Sequence, residues 1–141
     1  LTLLLRENVS GREFLVANYH MPCDYKMPVV MDIHAILLLN HLSSLSKNFE
    51  RPMVLCIDAN SMPDSETYKI FTQGLLTHID ALEKKVLKDA ATIHYSTVRR
   101  SKRSLLSAYA FTNLREPLYT TRCKHPDEFT ATLDYIFVNP G

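Results

Sequence analysis

The sequence predicts a layered α/β domain with helices packed outside a sheet. Short apolar runs of strand length, longer segments with apolar residues at near-helical spacing, and alternation of the two along the chain all point to it. The 141 residues are of single-domain size, and a 46% hydrophobic content is enough to bury a core. There is no internal repeat, low-complexity tract or clear linker.

Residues 2–6 and 13–19 are apolar runs separated by Asn8, Ser10 and Gly11, the pattern of two strands joined by a turn. From Met31 to Lys47, the residues Ile33, Ile36, Leu37, Leu38, Leu42 and Leu45 recur at helical spacing, which predicts an amphipathic helix lying on the sheet, with Pro28 marking its approach. The run 53–57 is short and wholly apolar and follows Pro52, as in a strand buried on both faces, and its carboxyl end delivers Asp58. Ser65 supplies an N-cap and Gly74 a stop for a helix holding Tyr68, Ile70 and Phe71. Residues 79–90 repeat the helical pattern, 96–104 read as an exposed basic loop, and 135–138 form a last apolar strand with Asp134 at its edge.

A net charge of +1 makes no case for nucleic acid or membrane, so any such case rests on local sites such as Arg99, Arg100, Lys102 and Arg103. That cluster suits a phosphate backbone or simply a solvated loop. Cys23, Cys56 and Cys123 are odd in number and lack metal-type spacing, which predicts free thiols and an intracellular address, cytoplasmic or nuclear. The opening LTLLL meets Arg6 and Glu7 at once and reads as a strand, and no apolar run approaches the roughly 20 residues of a membrane span.

Polar residues stand where apolar runs end or begin: His20 after FLVANY, Asp58 and Asn60 after MVLCI, and Asp134 before YIFV. Strand ends are where α/β sheets place their sites. Asp58 can bind Mg²⁺ or orient a water, and Asn60 can hydrogen-bond a phosphate oxygen if the backbone stays extended; an Asx turn is the alternative. His20 can stabilise charge on a phosphate, or serve as a hydrogen-bonded turn residue. Asp134 can orient an imidazole, or be a strand-edge charge. Phe129 can stack on a base, or plug the core.

Four ordered segments resemble the endonuclease/exonuclease/phosphatase superfamily, which has the DNase I-like fold. CIDANSMPDSETYKIFTQG (56–74) is similar to the block GDFNS-x-P-x-S with its Tyr-containing helix and Gly. SAYAFTNLREPLYTT (107–121) is similar to SAY…N-x-EP-x-YTN, ATLDYIFV (131–138) to T-x-DYIF, and VANYHMP (16–22) to the strand that ends in the active-site histidine. Together they span residues 13–138 and are closest to the deadenylase, nocturnin and Angel branch.

The resemblance implies the C-terminal half of a DNase I-like α/β sandwich and a Mg²⁺-dependent phosphodiesterase, a 3′-5′ exoribonuclease acting on an RNA 3′ end or a related nucleotide phosphatase. A catalytically inactive module that binds RNA or protein is the alternative. Position by position, His20 contacts the scissile phosphate, Asp58 binds metal and orients water, Asn60 holds phosphate, Asp134 orients a histidine, and Phe129 takes the base-stacking place. Ile57 and Ala59 replace the Gly and Phe beside the aspartate, and Thr121 stands where deadenylases carry a base-contacting Asn. The superfamily's N-terminal half, with its metal-binding glutamate, and its Ser-Asp-His ending are expected to lie outside these 141 residues. The chain alone is then expected to hydrolyse poorly, and to expose apolar faces that draw in a protein partner or a second copy.

Overall fold

A computed structural model describes residues 1–74, 104–124 and 128–139. The helical pattern at 79–90 and the basic side chains Arg99, Arg100, Lys102 and Arg103 lie outside the described residues. The elements are β1 (Thr2–Arg6), β2 (Glu13–His20), α1 (Pro28–Leu45), β3 (Met53–Asp58), α2 (Glu66–Gln73), β4 (Leu106–Ser107), α3 (Ala108–Asn113), β5 (Thr121–Cys123), β6 (Phe129–Ala131) and β7 (Asp134–Val138). Five strands form one mixed sheet in the order β1-β2-β3-β7-β4, and β5 and β6 form a separate two-stranded sheet.

The predicted hairpin is present: β1 and β2 pair antiparallel, Thr2 opposite Ala17 and Arg6 opposite Glu13. Its turn closes through Glu7 N to Arg12 O and Gly11 N to Glu7 O, both 2.9 Å, and Gly11 takes the positive φ of 69° that a side chain would resist. β2 and β3 run parallel, with α1 as their crossover, and β7 joins β3 antiparallel.

Three expectations change here. α1 starts at Pro28 and ends at Leu45, not at Met31 and Lys47. Proline's fixed φ and missing N–H suit the first helical position, and Lys47, Asn48 and Phe49 all adopt positive φ, which stops the helix. α1 is also apolar on more than one side: Met31, Ala35, Ile36 and Leu42 are buried while Leu37 and Leu45 are exposed. By length and composition alone its 18 residues would pass for a membrane-crossing helix, contrary to the reading of the sequence. The four buried side chains instead join the same core as Leu15 and Leu55, so the helix packs on the sheet.

The third change concerns β3, which is buried on one face and half-buried on the other. Side chains alternate across a strand, and the register fixes which ones share a side. Leu15, Ala17, Met53, Leu55, Ile57, Tyr135 and Phe137 face the helices, and all are in the core with Ile70 and Phe71 of α2. Val16, Val54, Cys56, Ile136 and Val138 share the opposite face and are half-buried, and Leu3, Leu5 and Leu106 extend it as exposed residues.

α2 begins and ends as predicted. Ser65 Oγ accepts the Tyr68 N–H at 3.2 Å, and Gly74 closes the helix in the left-handed region at φ 59°. At the far end of the sheet Asn139 ties the chain together. Its Oδ1 accepts Met53 N at 2.7 Å, and its Nδ2 donates to Phe49 O and Arg51 O, both at 2.8 Å.

Candidate active site

The register brings three sequence-predicted residues to one rim. His20 is opposite Asp58 across β2 and β3, and Asp58 is opposite Asp134 across β3 and β7. Paired residues point to the same side, so these side chains stand in a row on the face away from the helices, on strands about 4.8 Å apart. The rim lies at the carboxyl ends of the two parallel strands, where open α/β sheets bind ligands.

His20 Nε2 lies 3.5 Å from Asp58 Oδ2, with side chains 74% and 30% exposed. At that distance the contact is one of charge, made when the ring is protonated and weakened by solvent. Asp58 Oδ1 accepts Asn60 N at 2.9 Å, and Asn60 adopts φ 46°. The backbone therefore turns after Asp58 as an Asx turn, and the extended path that would aim Asp58 and Asn60 into one pocket is not taken. Asn60 Nδ2 donates instead to Met21 O at 2.8 Å, and Met21 N donates to Asp58 O at 2.9 Å. These two bonds lock the loop after His20 to the loop after Asp58. Ile57 and Ala59, which depart from the superfamily's block, are both buried.

Asp134 is held by the segment leading into β5. Thr120 Oγ1 accepts both Leu133 N and Asp134 N at 3.0 Å, and Thr121 Oγ1 donates to Asp134 Oδ2 at 2.8 Å. Thr132 Oγ1 donates to Pro117 O at 2.6 Å, and Ala59 N donates to Leu133 O at 2.8 Å, so the loops before β5 and β7 and after β3 meet at this carboxylate. Sequence reasoning missed Thr120 as a support and noted Thr121 only as a departure. The signal was the pair of hydroxyl residues itself, but nothing local says what a threonine after a loop will bond.

A second missed pair sits behind the row. Tyr68 Oη donates to Glu116 Oε1 at 2.5 Å, joining α2 to the loop before β5. Burial first, then the bond to Glu116 and its charge, push the Tyr68 phenol above its ordinary range and keep it a donor. Burial likewise raises Tyr135, whose hydroxyl lies 2.7 Å from Ser61 O and 2.8 Å from Thr132 O.

Phe129 lies on β6 and is 47% exposed, so it does not plug the core and its ring is open to a ligand. Among the described residues no group of three or more His, Cys, Asp or Glu side chains is placed to hold a metal ion. Asp58 nonetheless fits as one hard-oxygen ligand, since Mg²⁺ is commonly held by one or two carboxylates with waters and substrate phosphate completing the octahedron.

No family model and no curated protein matches the sequence. Solved structures do match in three dimensions. Against the human Nocturnin catalytic domain with bound sulfate anion the TM-score is 0.65 at 24% identity, over 97% of this chain and 39% of that one. Against ANGEL2, a 2′,3′-cyclic phosphatase in complex with adenosine-2′,3′-vanadate, it is 0.66 at 21% identity, over 98% and 48%. An endonuclease/exonuclease/phosphatase family protein from Bacteroides thetaiotaomicron gives 0.59 at 18% identity, over 99% and 40%. The chain thus spans less than half the length of each of these, and its α/β architecture is part of the DNase I-like fold that they have.

Proposed function

We propose that this chain is part of a divalent-metal-dependent phosphoesterase of the endonuclease/exonuclease/phosphatase superfamily, acting on the phosphate at an RNA 3′ end. The observation that carries the reading is the row of His20, Asp58 and Asp134 across β2, β3 and β7. Residues 38 and 76 positions apart, from 58 − 20 and 134 − 58, have no local reason to align.

In this reading His20, exposed at the rim, donates to a non-bridging phosphate oxygen as negative charge builds there. Asp58 holds Mg²⁺ through oxygen and orients the attacking water, and its Asx turn fixes the direction of its carboxylate. Mg²⁺, when bound, supplies Lewis acidity and neutralises phosphate charge. Asn60, bonded to Met21 O, locks the loop after His20 to the loop after Asp58 and so holds the rim in shape. Asp134, steadied by Thr121, orients an imidazole, and the open ring of Phe129 stacks on a base.

The test is a fluorescent oligo(A) assay with Mg²⁺ on the protein that carries this chain, with Asp58→Ala beside it. Loss of turnover by a factor of about 10² or more is expected, the order seen when a catalytic electrostatic group is removed. Full activity in the variant would overturn the assignment. Mg²⁺-independent RNA binding untouched by Asp58→Ala and His20→Ala would identify a binding module instead.

One observation favours a nucleotide or terminal-phosphate substrate over adenine-specific exonuclease action. Thr121 turns its hydroxyl to Asp134 and brings no side-chain amide to a base. RNA ending in a 2′,3′-cyclic phosphate and a nicotinamide dinucleotide phosphate, run beside oligo(A), separate the two.

A further inference from the structure

Asp58 and Asp134 face one another on paired strands, and like charges directly opposite on a sheet repel. Asp58 has partners on both oxygens, Asn60 N on Oδ1 and His20 Nε2 beside Oδ2. Asp134 has a different restraint, the Thr121 hydroxyl at 2.8 Å on Oδ2, delivered by a strand of the other sheet. Thr120, its neighbour, fixes the Asp134 backbone N–H from the same segment. The two threonines thus grip Asp134 at the backbone and at one carboxylate oxygen.

We infer that Thr121 is a positioning residue for the reaction proposed above. Its hydroxyl fixes the Asp134 carboxylate in one rotamer, swung toward β5, so that Oδ2 is taken and Oδ1 is the oxygen presented to the site. The hydroxyl of Thr121 is directed at Asp134, and its effect on the reaction passes through that carboxylate. The inference rests on the functional reading for its kinetic consequence, but the orientation it describes belongs to the fold.

Thr121→Val keeps the shape of the side chain and removes the donor, whereas Thr121→Ser keeps the donor. Kinetics on the protein that carries this chain should show kcat reduced about 10-fold or more in Thr121→Val with KM nearly unchanged, and most of it restored in Thr121→Ser. In an Asp134→Asn background, Thr121→Val should add little further loss, because the group it orients is already altered. An unchanged kcat in Thr121→Val, or full additivity with Asp134→Asn, would overturn the inference. If the wild-type protein hydrolyses no phosphoester, the functional reading fails by itself. Orientation is then decided by side-chain scalar couplings of Asp134: one rotamer in wild type and Thr121→Ser, and averaging in Thr121→Val, support it, and a single rotamer in Thr121→Val refutes it.

Discussion

The two faces of the five-stranded sheet are built from the same strands and carry different burdens. On the helix side, Leu15, Leu55 and Phe137 are at most 2% exposed and stack against α1 and α2. Phe137 lies 5.3 Å from the Phe71 ring and 5.3 Å from Tyr135, distances at which aromatic contact adds to burial. On the other side the same strands present Val16, Val54, Ile136 and Val138 half-buried, and at one rim they carry His20, Asp58 and Asp134. One face stores the stability and the other carries the candidate site. A variant's cost should therefore depend on which parity it occupies in the strand, more than on its distance from the site.

Paired truncations in β3 test that division most sharply. Leu55→Ala on the helix side should lower unfolding free energy by about 3–5 kcal/mol, the usual loss for a fully packed leucine. Val54→Ala, one residue away on the open side, should lower it by about 1 kcal/mol or less, because neighbours and solvent already reach that site. Equal midpoint shifts in urea would erase the contrast between the faces.

Next in size is the pair behind the row. Tyr68→Phe deletes the proton that Glu116 Oε1 accepts, and Glu116 Oε2 is already buried without a hydrogen-bond partner among the described residues. A destabilisation of about 1–3 kcal/mol is expected from stranding that carboxylate, measured by thermal or chemical unfolding. A neutral outcome would mean that the loop before β5 is held by Thr132 and Pro117 alone.

The smallest effect on stability, and the most informative about the open side, is expected from Leu3→Lys. Leu3 is 45% exposed on the edge strand β1, so unfolding should move by no more than about 0.5 kcal/mol. If a second copy pairs with this open edge, sedimentation should nevertheless show less self-association, as lysine on an edge strand discourages pairing with another sheet. No change in sedimentation would show that this edge does not draw in a second copy.

Much of this division was legible before any coordinates. Apolar runs marked β1, β2, β3 and β7 to within a residue, and Ser65 and Gly74 marked α2, because local physics fixes strands and caps. The short pieces β4, α3, β5 and β6 were not legible as elements. Strands of two or three residues and a helix of six carry no clear period, and their placement is imposed by tertiary contacts. For the site, the sequence placed His20, Asp58 and Asp134 at strand ends, and four ordered segments resembling one superfamily linked them. That they stand shoulder to shoulder depends on register, which is a property of paired strands. The turn at Asn60 decided between the two readings of Asp-x-Asn in favour of the Asx turn, which closes on its own backbone before it can extend. Thr120, Thr121, Tyr68 and Glu116 act through bonds across 13 to 48 residues, and no local pattern announces them.

The antiparallel seam between β3 and β7 also sets a timetable. β1, β2, α1 and β3 are consecutive in sequence and can assemble soon after they emerge, whereas Asn139 meets Met53 from 86 positions along the chain. Closing so long a loop is entropically late. Asp134, the first residue of β7, therefore takes its place after the other two members of the row. Refolding followed by pulsed hydrogen exchange should find β2 and β3 amides protected while β7 still exchanges, so that the candidate site is completed in the final step of folding.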